Sequence, residues 1–165
     1  RSGRKRENLE KIRGFIGPPL AEQFERFCGI TREESFQMVE YYREYYSTKG
    51  IFENRVYEGI EEALQSLIEK GLQLMIATSK PEHFAKIIAE HFGFAKYFCF
   101  IGGALLDGRR TDKTEVIEYV LRSMKISMRN EAVMVGDRSY DMVGAAKTGI
   151  HSLGVLYGYG SKEEL

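Results

Sequence analysis

Apolar positions recur at two periods along the chain, and the change falls near Gly50. Before it the spacing is helical throughout. Leu9, Ile12 and Phe15–Ile16 form one short stripe, which Gly17-Pro18-Pro19 interrupts. Pro19 suits the first turn of a second helix bearing Leu20, Phe24 and Phe27 and ending at Cys28-Gly29. Thr31-Arg-Glu-Glu34 reads as a capping box opening a third helix, with Phe36, Val39, Tyr42 and Tyr46 on one stripe. The aromatic run Tyr41 to Tyr46 occupies more than one face of it. It fits a packed helix pair, or a surface that also closes over a ligand with Arg43 or Lys49 as a phosphate-side cation.

After Gly50, helical stripes alternate with short apolar runs. Glu61–Lys70 predicts a helix with Ala63, Leu64, Leu67 and Ile68 inward and Gly71 as its cap. Leu72–Ala77 predicts a strand running into Thr78-Ser79-Lys80-Pro81, and Pro81–His91 the next helix. Tyr97–Ile101 predicts a strand, Leu105–Lys113 a hairpin or turn, and Thr114–Lys125 a helix. Glu131–Val135 and Ser152–Leu156 predict two more strands. Four strand–helix alternations imply an α/β class with a mainly parallel sheet and right-handed crossovers.

The stretch between those last two strands organises the rest. Val133-Met-Val-Gly-Asp137-Arg-Ser-Tyr-Asp141 places two carboxylates around a turn just past a strand's carboxyl end. Gly144, Ala145 and Ala146 follow on a closely packing helix that Gly149 caps. Ligands of open α/β sheets bind outside that end of the strands. Two oxygen-bearing acids there could seat a hard cation such as Mg2+. They also fit an ordinary turn, with Asp141 as a helix N-terminal acid and Asp137 as a turn former.

Composition narrows the classes. The 165 residues carry 24 basic and 24 acidic side chains, so bulk charge drives no binding to a nucleic acid polymer or a membrane surface. No apolar run approaches spanning length. Cys28 and Cys99 read as reduced, buried or semi-buried thiols of a cytoplasmic protein. The basic residues Arg1 to Arg6 read as a frayed or cut end. His83, His91 and His151 form no catalytic pattern.

Two further signals bear on chemistry. Thr78-Ser79 before a helix supplies a hydroxyl and free backbone N–H groups, a phosphate cradle or a common cap. Lys113 opens a helix, where a cation opposes the macrodipole, which hints at a task other than local stability. In order, a strand-end Thr, a Lys and a strand-end Gly-Asp-x-x-x-Asp can converge on one crest of a sheet.

That ordered set resembles the haloacid dehalogenase-like phosphohydrolase superfamily over essentially the whole chain. Phe-Ile-Gly-Pro-Pro-Leu20, Thr-Lys-Gly-Ile-Phe-Glu-Asn54, Leu-Asp-Gly-Arg-Arg110 and Gly-Val-Leu-Tyr-Gly-Tyr-Gly160 resemble its phosphoglycolate phosphatase-like branch, which includes 5′-nucleotidases. The resemblance implies a Rossmann-like α/β core over residues 58–165 and a helical cap over residues 1–57, inserted after the first core strand. It implies a phosphatase acting on small phosphate monoesters, of phosphoglycolate or nucleoside 5′-monophosphate type, through an aspartyl-phosphate. Asp137 would then ligate Mg2+ and Asp141 support the metal. Thr78 and Ser79 would bind the phosphoryl oxygens, and Lys113 would neutralise them. Lys80, Arg43 and the Gly17–Leu20 loop would face a small phosphorylated metabolite. The protein would be a monomer or homodimer.

One departure is plain. The family's nucleophile motif, Asp-x-Asp-Gly-Thr, lies on its central strand, between those beginning near Leu72 and Glu131. Here the Asp residues are Asp107, Asp112, Asp137 and Asp141, none in such a motif. The expectation is an incomplete record of a longer phosphatase, cut at both ends, because a sheet missing its middle strand would expose two unpaired edges and a split core, which is hard to stabilise. A phosphomutase of the same fold, or a binding module without turnover, are the alternatives.

Overall fold

The computed structural model describes residues 19–165. The basic start, the Leu9–Ile16 stripe and the Gly17-Pro18 break lie outside those residues. Helix α1 (Leu20–Cys28) starts behind Pro19 and stops at Gly29, whose φ of 62° is left-handed. Helix α2 (Arg32–Tyr46) carries the capping box: the Glu34 N–H donates to Thr31 Oγ1, and the Thr31 N–H donates to the Glu34 carboxylate. Thr31→Ala should therefore lower stability by about 1 kcal/mol. A urea midpoint unchanged by that substitution would contradict the cap. Ser35, buried, donates to Glu25 at 3.2 Å and ties α2 to α1.

The α/β part begins with α3 (Ile60–Glu69). The inward face expected for it is not found: none of its residues is buried, and Leu67 and Ile68 stand open. Its hold on the fold runs through Glu61, which accepts from Tyr97 Oη and Lys96 Nζ. Then come β1 (Met75–Pro81), α4 (Glu82–His91), β2 (Phe100–Ala104), α5 (Lys113–Ser123), β3 (Val133–Gly136), α6 (Ser139–Thr148) and β4 (His151–Gly154). Strand β1 begins three residues later than expected and runs through Thr78-Ser79-Lys80. Tyr97 belongs to a short helical turn, and Leu105–Lys113 is a turn stapled by Leu105 N–H to Arg109 C=O.

Both strand pairings are parallel. Among the described residues, however, the strands form two separate pairs, β1–β2 and β3–β4. The open edges follow from parallel-ladder alternation. Cys99 N–H donates to Leu74 C=O, so the groups of Met75 and Ala77 face away from β2. His151 N–H donates to Ala132 C=O, so those of Val133 and Val135 face away from β4. Val133 and Val135 are 57% and 50% exposed, far more than a strand filling the middle of a parallel sheet allows.

Helix α5 joins the halves. It packs on β1 and β2 and against α6, which in turn packs on β3 and β4. Its Val116, Ile117, Val120 and Leu121 are buried, with Ala145 of α6 facing them in the core. Gly144 lets the helices close: a Cβ there would stand 2.8 Å from Lys113 Cγ. Arg129 adds a two-point ion pair to Glu118 and donates to Thr148 C=O. Cys28 and Cys99 correct another expectation, that they are buried or semi-buried: both are exposed. Cys99 sits at the edge where β2 begins, with its thiol on the Leu74 carbonyl instead of in the core. Among the described residues no helix is long and apolar enough to cross a membrane.

Candidate active site

The strand ends of both pairs open into one cavity of about 860 Å³. Thr78, Ser79, Lys80, Lys113, Asp137 and Asp141 line it, and Arg43 reaches it from α2. Residues picked out by spacing, Thr78, Lys113, Asp137 and Asp141, and residues named through the resemblance, Lys80 and Arg43, are thus brought together from well-separated parts of the chain.

Lys113 is the joint. Its Nζ donates to Ala77 C=O, on the open edge of β1, at 3.0 Å, and pairs with Asp141 Oδ1 at 2.9 Å. Both partners are largely buried, so the pair is weakly screened. Asp112 caps α5 by accepting from the Thr114 and Glu115 N–H groups, which balances the cation that starts the helix. The turn before it is anchored by Arg110, held at a left-handed φ of 53°. Its Nε donates to Gly103 C=O at 2.7 Å, it pairs with Glu82 at 3.1 Å, and its guanidinium lies 3.5 Å from the Tyr119 ring centroid.

Asp141, 6% exposed, takes the Arg138 N–H on Oδ2 at 3.2 Å and so caps its own helix. Gly136 permits this, since a Cβ there would overlap the Asp141 carboxylate. Asp137 stands at the end of β3, and its Oδ2 accepts the Tyr159 N–H at 2.8 Å. Its Oδ1 accepts nothing among the described residues.

Thr78 Oγ1 accepts the Lys80 N–H at 3.1 Å, a local turn that bends β1 where its register with β2 slips. Gly103 makes room, because a Cβ there would stand 2.5 Å from Lys80 C=O. Lys80 turns toward the helical layer. Its Nζ donates to Tyr46 Oη and lies 4.8 Å from that ring's centroid. Tyr46 stacks on Tyr42 at 5.0 Å and meets Phe84 edge-on. Burial, with Tyr46 beside it, pushes the Tyr42 hydroxyl up to about 12, so it stays a neutral donor. Arg43 pairs with Glu40 and donates to Leu106 C=O at 2.8 Å, fastening α2 over the Leu105–Lys113 turn.

The donor set suits part of a Mg2+ shell. Mg2+ is held by one or two carboxylates, waters and substrate phosphate oxygens, and among the described residues Asp137 keeps one free oxygen on the turn that Asp141 closes. Among the described residues no group of three or more His, Cys, Asp and Glu gathers.

Sequence reasoning missed one contributor. Glu164 Oε1 accepts from Arg138 Nε at 2.8 Å, the Ser139 N–H at 3.0 Å and Ser139 Oγ at 3.1 Å. Arg138, then the Ser139 N–H, hold its carboxyl below the usual glutamate range. No spacing signal pointed to it, because it lies 25 residues past the turn it grips.

A family model described as haloacid dehalogenase-like hydrolase matches residues 3–155. A protein of Pseudomonas aeruginosa named 5′-nucleotidase is 42% identical over 158 residues, covering 96% of this chain and 71% of that protein. A Mycobacterium tuberculosis protein named tyrosine-protein kinase PtkA is 39% identical over 146 residues, covering 88% of this chain but 49% of its own length. The crystal structure of a predicted phosphatase from Clostridium acetobutylicum superposes with a TM-score of 0.92 at 45% identity, over 97% of this chain and 74% of that one.

Proposed function

The chain belongs to the haloacid dehalogenase-like hydrolase family, and on that premise we propose that it carries the phosphate- and metal-binding half of a Mg2+-dependent phosphatase for small phosphate monoesters. The observation that carries this is Lys113, which bridges the open edge of β1 to Asp141 at the cavity floor. One ammonium there faces both the Thr78–Ser79 turn and the acidic turn, the two places where phosphoryl oxygens and a cation would sit.

Each residue has a task that its surroundings permit. Asp137 offers its free oxygen to Mg2+, and Asp141 holds the turn. When bound, Mg2+ would neutralise phosphoryl charge as a Lewis acid. Ser79, with the Thr78 hydroxyl, contributes donors to the phosphoryl oxygens. Lys113 offsets the charge that spreads over those oxygens in the transition state. The attacking carboxylate belongs, by the family resemblance, on a strand between β1 and β3, where both edges lie open. Lys80 and Arg43 are committed to Tyr46 and Leu106, so in this reading they shape the rim and leave the phosphate to Lys113.

The substrate is a small phosphorylated metabolite of phosphoglycolate or nucleoside 5′-monophosphate type, and the reading involves no nucleic acid polymer and no membrane. A monomer or homodimer in the cytoplasm completes it.

The intact polypeptide carrying this sequence should hydrolyse p-nitrophenyl phosphate with release of inorganic phosphate. EDTA should abolish the release and added Mg2+ restore it. Hydrolysis indifferent to EDTA would overturn the reading, and phosphate passed between sugar hydroxyls without release would favour a phosphomutase.

A further inference from the structure

The segment after β4 returns to the acidic turn and fastens on three consecutive residues. Tyr159 N–H donates to Asp137 Oδ2. Glu164 Oε1 takes Arg138 Nε, the Ser139 N–H and Ser139 Oγ. Gly158 and Gly160 make the approach possible: a Cβ at 158 would overlap the Asp137 carboxylate, and one at 160 its carbonyl. The Glu164 N–H on Ser161 Oγ at 3.2 Å holds the return in shape. Leu165 packs against Gly154, where a Cβ would lie 3.1 Å from Leu165 Cδ1.

We infer that Glu164 is a positioning residue that keeps the acidic turn receptive to a divalent cation, by neutralising Arg138. The inference rests on Asp137 being the metal seat. Arg138 follows Asp137 directly, and its side chain is 18% exposed, so its charge is poorly screened. A guanidinium beside a two-carboxylate site repels a divalent cation and competes for the carboxylate oxygens. Glu164 draws that guanidinium aside and matches its charge. The same oxygen takes the first N–H of α6, which would otherwise lack an intrahelical acceptor. Among the described residues Tyr159 then leaves Asp137 Oδ1 for the cation, fixing the direction of approach.

The probe is Mn2+ alone, titrated into the intact polypeptide and followed by the electron paramagnetic resonance signal of the free ion. Glu164→Gln keeps the acceptor oxygen and loses the charge. It should weaken Mn2+ binding by about tenfold with an unchanged circular dichroism spectrum. Arg138→Gln combined with Glu164→Gln removes both charges, and should bring the affinity back to within about threefold of the parent. Binding by Glu164→Gln within about twofold of the parent would overturn the inference. So would a double variant no tighter than Glu164→Gln, because Glu164 would then serve only as a strut. Asp137→Asn is the separate control: if it binds Mn2+ like the parent, the metal seat itself falls, and the role of Glu164 with it.

Discussion

In the intact polypeptide carrying this sequence, Asp137→Asn should reduce phosphoester hydrolysis by about 10³-fold while leaving the fold intact. The two halves of that expectation have separate causes. Asparagine is nearly isosteric and keeps a carbonyl oxygen to accept the Tyr159 N–H, now satisfied by Asp137 Oδ2 at 2.8 Å. The turn between β3 and α6 should therefore survive, and thermal unfolding should shift little. What is lost is negative charge on the oxygen left open to a cation. Lewis-acid stabilisation of phosphoryl charge amounts to several kcal/mol, and about 4 kcal/mol is about three decades in rate. Raising Mg2+ should recover part of the loss, since the weakened seat is filled by mass action. Steady-state hydrolysis of p-nitrophenyl phosphate across a Mg2+ series measures both effects. Activity within about tenfold of the parent would remove Asp137 from the metal site.

Asp137 was legible in the sequence for a local reason. A short apolar run, a glycine and an acid form a contiguous pattern, and the packing that needs the glycine involves Asp141, close by on the same turn. The Thr31–Glu34 box and the Gly149 cap, whose φ is 73°, were legible for the same reason. Long-range facts were not. Glu164 grips Ser139 across 25 residues, and Gly-Tyr-Gly160 read as a branch motif with no hint that it wraps Asp137. The stripe Ala63–Ile68 has good helical periodicity, yet periodicity states which side is apolar and not what covers it, and in the structure α3 stays open. The strand start slipped from Leu72 to Met75 because Leu72 closes the preceding helix instead, its N–H on Leu67 C=O. The exposed cysteines show the same limit: burial depends on where an element's end lies in the fold, which residue type alone does not encode.

The split into two strand pairs ties these points to the site. Each open edge presents backbone donors and acceptors, and an unpaired edge is a template for another strand. On β1, Lys113 already takes one such acceptor, Ala77 C=O. The lysine is therefore more than a countercharge at the cavity floor. It ties α5 to a strand edge and to the acidic turn at once, so its removal should be felt in stability and in chemistry.

Lys113→Met tests both. Methionine preserves the length and most of the volume of the stem but carries no charge. Asp141, nearly inaccessible, would be left as an unpaired buried carboxylate. Breaking a buried ion pair by removing one partner costs about 3–5 kcal/mol, because the remaining charge stays desolvated. The urea midpoint should fall accordingly. Asp141→Asn in the same chain should recover most of that stability. It removes the orphaned charge, and the asparagine amide oxygen can still accept the Arg138 N–H. Activity should behave differently. Losing the cation that offsets phosphoryl charge should lower hydrolysis by about 10²–10³-fold, and the second substitution should not restore it. This divergence is the informative result, since a purely structural lysine would give back stability and activity together. Urea unfolding by circular dichroism and phosphate release, measured on the two single variants and the double variant, separate the two roles. If both quantities recovered in the double variant, Lys113 would be a scaffold residue and the phosphoryl charge would have to be met elsewhere in the cavity.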